Sequence, residues 1–286
     1  MITDKDTNIV YFSELLKSNP KYTDTCKRIT DVLDANHVIY KFLPCTKDIW
    51  ARDYMPIQIS KDKFIEYRYD PDYLQGIEIR RREVKTYPDM VCDALNLKTI
   101  KTDIILDGGN VIKSSQSVIL TDKIFIENKR SYKSKELIEK LKQLFEVEKV
   151  IIIPWDIPEE YGHADGMLRF INENTVFING YFDHYNNDFK NKLFGTLDEN
   201  GIICKKLSFN VPKADKRNWA YINYLQTKDI ILLPKFGIDE DEQALEQFKE
   251  QFKEYAANNK IIQLEIPEIV KNNGAFNCIS WNILAA

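Results

Sequence analysis

Ionisable and nucleophilic side chains recur at regular intervals along this 286-residue sequence. Taking one residue from each motif gives a series separated by 54, 58, 58 and 55 positions: Asp53, Asp107, Asp165, Asn223 and Cys278. His163 belongs to the same motif as Asp165. A thiol, an imidazole and several carboxylates are the side chains that nucleophilic catalysis on a cationic substrate needs. The spacing predicts one site, provided that the fold brings equivalent positions together.

The segments between these residues repeat one order of predicted elements: strand, strand, helix, strand. Amphipathic helices are predicted at Ser134–Phe145 and Asp239–Tyr255, because apolar residues recur on one face of each. Short β-type runs flank both helices. They are Asn110–Lys113, Val118–Leu120 and Val150–Ile153 around the first, and Tyr221–Leu225, Ile230–Leu233 and Ile261–Leu264 around the second.

Further copies complete the pattern. One copy has strands at Leu168–Ile171 and Thr175–Ile178, a helix near Asp188–Leu197 and a strand near Ile202–Leu207. An earlier copy has strands at Met55–Ile59 and Lys63–Tyr67, a helix near Arg81–Leu95 and a strand before Asp107. A fifth forms if the helix Tyr22–Asn36 and the strand Val38–Phe42 join the C-terminal strand Ile279–Leu284. The second strands begin near 63, 118, 175 and 230, in steps of 55, 57 and 55 residues. This period predicts a closed ring of five repeats whose equivalent corners meet at the axis.

Composition excludes several classes of protein. The chain has 44% hydrophobic residues, enough for a core, so extensive disorder is not expected. Its formal charge is −4 and no Lys/Arg stripe is present, which argues against nucleic acid as a partner. The longest apolar runs are too short to cross a bilayer and the N-terminus lacks a signal-like apolar region, so a cytoplasmic protein without membrane association is expected. The five cysteines are widely spaced without a CxxC pair, which predicts neither a disulfide framework nor a zinc ribbon.

Five motifs follow one another along the chain: Trp50-Ala51-Arg52-Asp53, Asp107-Gly108-Gly109-Asn110, Gly162-His163-Ala164-Asp165-Gly166, the stretch from Tyr221 to Gly237, and the closing Asn277-Cys278-Ile279-Ser280-Trp281-Asn282. In this order they resemble the family of agmatine deiminases and bacterial, Porphyromonas-type peptidylarginine deiminases. The resemblance implies the pentein or α/β-propeller fold, five ββαβ units around a pseudo-fivefold axis, as a single catalytic domain over residues 1–286. It also implies hydrolysis of a guanidino group to a ureido group with release of ammonia.

The resemblance assigns chemical roles that suit the residue types. Asp53 and Asp165 are the expected carboxylate clamp on a planar guanidinium, Cys278 the nucleophile that forms a thiouronium intermediate, and His163 the general acid and base. The expected substrate-binding residues are Trp50, Asp107, Gly109 and Asn223. Neither a metal nor an organic cofactor is required. The expected partner is a small cationic guanidino compound, and a homo-oligomer is left open.

Departures from the family leave alternatives open. Asn277 stands where relatives commonly have a histidine before the cysteine, which leaves room for an inactive binding module of the same fold. Acids at Asp70 and Asp72 favour agmatine, converted to N-carbamoylputrescine, because they could attract an amine, although a solvated turn explains them equally well. Arg80, Arg81 and Arg82 lie nearby, so peptidylarginine or free arginine remains an alternative substrate. Considered singly, Cys278 is an ordinary buried thiol, Trp50 a core residue and the glycine motifs simple turns.

Overall fold

Five three-stranded sheets follow one another in the computed structural model, which describes residues 1–75, 83–157 and 159–285. In each sheet the middle strand pairs antiparallel with one neighbour and parallel with the other. We call these sheets with their helices the blades. The strands are Ile57–Ser60, Lys63–Arg68 and Ile100–Ile105 in the first blade; Ile112–Lys113, Ser117–Thr121 and Lys149–Ile153 in the second; Leu168–Asn172, Thr175–Asn179 and Ile203–Leu207 in the third; Leu225–Gln226, Ile231–Lys235 and Ile261–Glu265 in the fourth; Ser280–Ile283, Ile9–Ser13 and Ile39–Leu43 in the fifth.

The fifth blade combines both ends of the chain. The strand Ile9–Ser13 lies in its middle, antiparallel to Ser280–Ile283 and parallel to Ile39–Leu43. The sequence pattern predicted the two outer strands but not this central one. All five of its residues are buried, so it lacks the alternation of polar and apolar residues by which a strand is found.

Helices cross over between the second and third strand of each blade, because two parallel neighbours cannot be joined by a tight turn. The α-helices are Glu14–Ser18, Thr23–Ala35, Ala51–Tyr54, Pro88–Ala94, Lys123–Asn128, Ser134–Phe145, Asn187–Glu199, Glu240–Gln251, Lys253–Ala257 and Pro267–Val270; 3₁₀ turns occur at Asp4–Asp6, Asp72–Leu74, Gly108–Asn110, Gly180–His184 and Asn218–Tyr221. Ser134–Phe145 has the predicted bounds and buries Leu137, Leu141 and Phe145.

Three other predictions need correction. The helix predicted at Asp239–Tyr255 is two helices, because Phe252 leaves the helical backbone with a ψ of 57°. Tyr221–Leu225 is not a strand: a 3₁₀ turn ends at Tyr221 and only Leu225–Gln226 pairs with the next strand. The start of the helix predicted at Arg81–Leu95 lies partly outside the described residues, and the described helix is Pro88–Ala94.

Contacts between neighbouring blades close the ring. Trp281 Nε1 donates to the Pro56 carbonyl at 2.8 Å, which joins the fifth blade to the first. The Asn282 amide donates to the Gln226 carbonyl at 2.9 Å, which joins the fifth blade to the fourth. Arg169 donates to the Tyr224 carbonyl at 3.0 Å between the third and fourth blades. Two hydrogen bonds join the segments that precede the first three blades. The Asp165 N–H donates to the Gly109 carbonyl, and the Gly109 N–H donates to Asp53 Oδ1, both at 3.0 Å. The predicted closed ring is confirmed.

Apolar clusters run around this ring. One of them joins residues of the second and third blades, and includes Ile119, Ile151, Leu168 and Val176. Another joins the third and fourth blades. Because neighbouring blades share apolar surface, each blade is stabilised by burial against the next. Within the described part of the chain, no helix is long and apolar enough to span a membrane.

A buried carboxylate joins three blades near the N-terminus. Asp4 Oδ1 lies 3.4 Å from Lys113 Nζ and 4.0 Å from Arg52 Nη1, and Oδ2 accepts a hydrogen bond from Arg169. Burial raises the pKa of Asp4, but the three cations outweigh burial and lower this pKa well below its ordinary value. Asp4 is therefore ionised and links the helix Ala51–Tyr54, which precedes the first blade, to the second and third blades. We call this group the Asp4 cluster.

Candidate active site

The predicted site residues lie in the segments that precede the first strand of each blade. Asp53 belongs to the helix Ala51–Tyr54, Asp107 precedes the turn Gly108–Asn110, and Asn223 follows the turn Asn218–Tyr221. His163 and Asp165 lie just before the strand Leu168–Asn172, and Cys278 just before Ser280–Ile283. Since these segments are equivalent in the five blades, ring closure brings their side chains together.

One half of the site is a histidine between two carboxylates. His163 Nε2 lies 2.9 Å from Asp107 Oδ2, and Nδ1 lies 3.7 Å from Asp53 Oδ1. Burial lowers the pKa of His163, but Asp53 and Asp107 outweigh burial and raise this pKa to about 10. The two carboxylates therefore favour the protonated imidazole, which can donate a proton. The hydroxyl of Tyr73 donates to the same Asp107 oxygen at 2.9 Å.

Asp53 is held by a backbone donor from the next blade. The N–H of Gly109 donates to Asp53 Oδ1 at 3.0 Å. Burial raises the pKa of Asp53, and Asp107 and Asp165 raise it further, while the His163 cation opposes them. Asp53, Asp107 and Asp165 are 6%, 2% and 2% exposed, so three buried carboxylates surround one imidazole. Such a group favours a further positive charge.

The Gly109 position allows no side chain. A Cβ there would lie 2.6 Å from both Asp53 Oδ1 and His163 Nδ1. We expect Gly109→Ala to push these two side chains apart. The kcat/KM of the expected guanidino hydrolysis should decrease roughly 100-fold, since misplacement of a catalytic group by about 1 Å can have that effect. Steady-state kinetics would measure it. Gly195→Ala is the control, because a Cβ at Gly195 meets nothing within 4 Å, and this variant should keep full activity. Equal kinetics for both variants would contradict the prediction.

The other half of the site is a buried thiol. Cys278 Sγ lies 3.2 Å from Asn223 Oδ1 and 3.8 Å from Asp165 Oδ2. Cys278 is only 7% exposed. The backbone N–H of Cys278 also donates to Asn223 Oδ1 at 3.2 Å, which fixes the loop. Burial raises the pKa of Cys278 well above its ordinary value, and Asp165 and Asp53 raise it further. The raised pKa keeps the sulfur in the thiol form at neutral pH.

Asn277 takes the place of the expected histidine in this loop. Its Nδ2 donates to Asp165 Oδ2 at 2.7 Å, and its backbone N–H donates to the Asn223 carbonyl at 3.0 Å. The same Asp165 oxygen is the one near Cys278. The asparagine therefore orients Asp165 through a neutral donor.

The raised thiol pKa makes a prediction about alkylation. Because only the thiolate reacts quickly, we expect Cys278 to react slowly with iodoacetamide at pH 7, with a rate that still increases above pH 9. Cys45, which is exposed, is the reference in the same sample. Mass spectrometry of peptides from samples quenched at several pH values would measure both rates. A Cys278 rate that levels off near pH 7 would show that the thiolate is already formed and would contradict the prediction.

A cavity of about 940 Å³ opens onto this arrangement, and His163, Asp165 and Cys278 line it. Asp53, Asp107 and Gly109 contact His163 from outside the cavity lining. Asn223 contacts Cys278 in the same way.

Trp50 does not line this cavity. Trp50 is half-buried, and its ring packs against Gly274. A Cβ at Gly274 would lie 2.0 Å from the ring, so this packing requires glycine.

The acids expected near the substrate are engaged elsewhere. Asp70 pairs with Arg68 at 2.6 Å and Lys85 at 2.7 Å, and Asp72 lies 3.1 Å from Lys123 Nζ. Neither lines the cavity. The prediction that they contribute to a substrate amine site is therefore not supported by their contacts. Arg80, Arg81 and Arg82 lie outside the described residues.

Glu159 is a site residue that the sequence did not reveal. Its carboxylate accepts from the backbone N–H groups of Tyr161, Gly162 and His163, the last at 3.0 Å. These bonds hold the loop that carries His163. The signal available in the sequence was an acid four residues before the histidine, which is too common to identify a role.

Known proteins resemble this chain over most of its length. The sequence model of the family described as Porphyromonas-type peptidyl-arginine deiminase matches residues 13–283. A protein of Enterococcus faecalis with the provisional name agmatine deiminase is 24% identical over 278 residues, covering 82% of this chain and 74% of that one.

Solved structures show the same fold. Agmatine deiminase from C. jejuni superposes with a TM-score of 0.76 at 16% identity, covering 100% of this chain and 96% of that one. A dimethylarginine dimethylaminohydrolase adduct structure gives 0.56 at 13% identity, covering 96% and 99%. The predicted pentein fold is confirmed. Because the family match extends over nearly the whole chain, this protein belongs to the Porphyromonas-type peptidyl-arginine deiminase family.

Proposed function

We propose that this protein hydrolyses a guanidino group to a ureido group and releases ammonia, with Cys278 as the nucleophile. The observation that carries the proposal is the placement of three buried carboxylates and one imidazole beside a buried thiol. A guanidinium is planar and positive, and it can donate to two carboxylates while its central carbon stays open to attack. Family membership and the names of the relatives support the same chemistry.

In the first half of the reaction, the guanidinium lies between the carboxylates of Asp165 and Asp53. Asp165 is on the cavity lining, whereas Asp53 lies behind it, beside His163, and must become accessible when the substrate binds. Its positive charge lowers the pKa of the Cys278 thiol, which releases its proton to solvent. The thiolate attacks the guanidinium carbon and forms a C–S bond. His163, protonated in the free protein, donates its proton to the departing nitrogen as the C–N bond breaks, and ammonia leaves. A covalent thiouronium remains on Cys278.

In the second half, His163 acts as a base. Now neutral, it takes a proton from water, and the resulting hydroxide attacks the thiouronium carbon. The C–S bond breaks, the electron pair returns to sulfur, and the hydroxyl proton of the intermediate passes to the thiolate, so the Cys278 thiol is restored and the neutral ureido product leaves. Asp107 holds the imidazole through Nε2 in both halves. Gly109 orients Asp53, and Asn223 orients the Cys278 loop.

We propose that the substrate is agmatine, which is converted to N-carbamoylputrescine. We also propose that the five blades form a single catalytic domain. The names of relatives and solved structures support agmatine. Trp50, away from the cavity lining, is proposed to support the loop that carries Asp53 rather than to contact the substrate.

The test is to incubate purified protein with agmatine, free arginine, and peptides with internal or C-terminal arginine. Ammonia and the ureido product are measured from the same sample. We expect both products in equal amounts, with the highest kcat/KM for agmatine. Agmatine binding without product would instead indicate an inactive binding module, and preference for C-terminal arginine would assign the protein to the peptidylarginine side of the family.

A further inference from the structure

A further carboxylate lies on the wall of the cavity that His163 and Cys278 line. Asp156 follows the strand Lys149–Ile153, lines the cavity and is 5% exposed. Its Oδ2 accepts from the Tyr185 hydroxyl at 3.2 Å. Its Oδ1 is buried and has no hydrogen-bond partner within residues 1–75, 83–157 and 159–285. A buried carboxylate oxygen without a hydrogen-bond partner is unfavourable, so a ligand that donates a hydrogen bond to it would be stabilised.

The other acids on this part of the wall differ from Asp156. Glu159 is engaged by backbone N–H groups, Asp183 pairs with Lys206 at 2.6 Å, and Asp215 pairs with Arg217 at 2.7 Å. Glu160 is exposed, so water screens its charge. Asp156 therefore combines burial, a position on the cavity lining and an unused acceptor.

Aromatic rings adjoin this carboxylate. Tyr181 and Tyr185 both line the cavity, with ring centroids 5.9 Å apart. Tyrosine faces attract ammonium groups, and the attraction strengthens when water is excluded. Burial raises the pKa of Asp156, and a cation beside it would favour the ionised form. A carboxylate next to two tyrosines suits an aliphatic ammonium.

We propose that Asp156 binds a positive charge at the far end of the substrate. This inference rests on the proposed function, and it defines the substrate class as guanidinoalkylamines, molecules with a guanidinium at one end and an ammonium at the other. A substrate with a free carboxylate at that end is disfavoured, because its negative charge would approach the carboxylate of Asp156.

The experiment compares two substrates and two proteins. Agmatine and pentylguanidine have chains of equal length, but a methyl group replaces the ammonium in pentylguanidine. We expect wild-type protein to prefer agmatine roughly 10- to 100-fold in kcat/KM, the range for one hydrogen bond to a charged group. Asp156→Asn should remove that preference by raising the KM for agmatine. It should leave pentylguanidine turnover within about twofold, which also shows that the variant is folded.

Asp183→Asn is the matched control. It removes an acid from the same cavity wall, but one already paired with Lys206. It should retain the preference for agmatine. An equal loss of preference in both variants, or an undiminished preference in Asp156→Asn, would overturn the proposal.

A binding measurement separates this proposal from the proposed function. If wild-type protein turns over neither substrate, the proposed reaction is wrong, but calorimetry on Cys278→Ala protein still decides the role of Asp156. Tighter binding of agmatine than of pentylguanidine, lost in the Cys278→Ala, Asp156→Asn double variant, would support the ammonium site. Equal binding of the two compounds, or binding of neither, would refute it.

Discussion

Cys278→Ala is expected to abolish release of the ureido product. Without the sulfur the thiouronium intermediate cannot form, and we expect the remaining carboxylates to bind the N–H groups of the guanidinium rather than attack its carbon. We expect kcat to decrease by at least about 10⁴-fold, as when the nucleophile of a covalent mechanism is removed. Binding should persist, because Asp53 and Asp165 are unchanged. Product assays and calorimetry with agmatine would measure the two effects separately.

Cys204→Ser is the control for loss of a thiol. Cys204 is half-buried in the strand Ile203–Leu207, away from the cavity, so kcat should stay within about tenfold of wild type. Substantial turnover by Cys278→Ala would exclude the covalent mechanism, whereas a loss of binding as well as turnover would show that this substitution disrupts the site.

Asp4→Ala is expected to destabilise the ring by about 3–5 kcal/mol, the range for removing one partner of a buried ion pair. The substitution leaves Arg52, Lys113 and Arg169 buried without their shared carboxylate. Urea unfolding followed by circular dichroism would measure the free energy. Asp31→Asn, which removes one member of an exposed pair with Lys27, should hardly change it.

The Asp4 cluster also makes stability depend on pH. The folded pKa of Asp4 is lowered, so its contribution is complete above the unfolded pKa of about 4 and is lost as pH decreases towards the folded value. The difference in stability between wild type and Asp4→Ala should therefore narrow below pH 4. A difference that stays constant between pH 7 and pH 3 would show that ionisation of Asp4 is not its cause.

The period of the repeat could be predicted because each blade contributes one polar or nucleophilic residue at an equivalent position, just before its first strand. Once the steps between Asp53, Asp107, Asp165, Asn223 and Cys278 were nearly constant, their convergence followed from ring closure. Their contacts now show why: each sits in a segment joined to the next blade by hydrogen bonds.

Other features could not be predicted, because they depend on pairings across the ring. Tyr221–Leu225 is buried throughout, and a short, mostly apolar segment of that kind does not distinguish a strand from a turn. The partners of Asp4 lie in three blades, and no local pattern identifies them. Asp156 lacks a motif of its own, and its significance depends on the cavity that the folded ring creates.

The composite fifth blade has a consequence for the order of folding. Its central strand, Ile9–Ser13, pairs with Ser280–Ile283, so this contact joins segments separated by most of the chain. Contacts of such long sequence separation form slowly and late. During synthesis the first four blades can assemble before the nucleophile loop has left the ribosome. We therefore expect the thiol to enter its site only when the two ends meet, which makes ring closure the step that activates a newly made molecule.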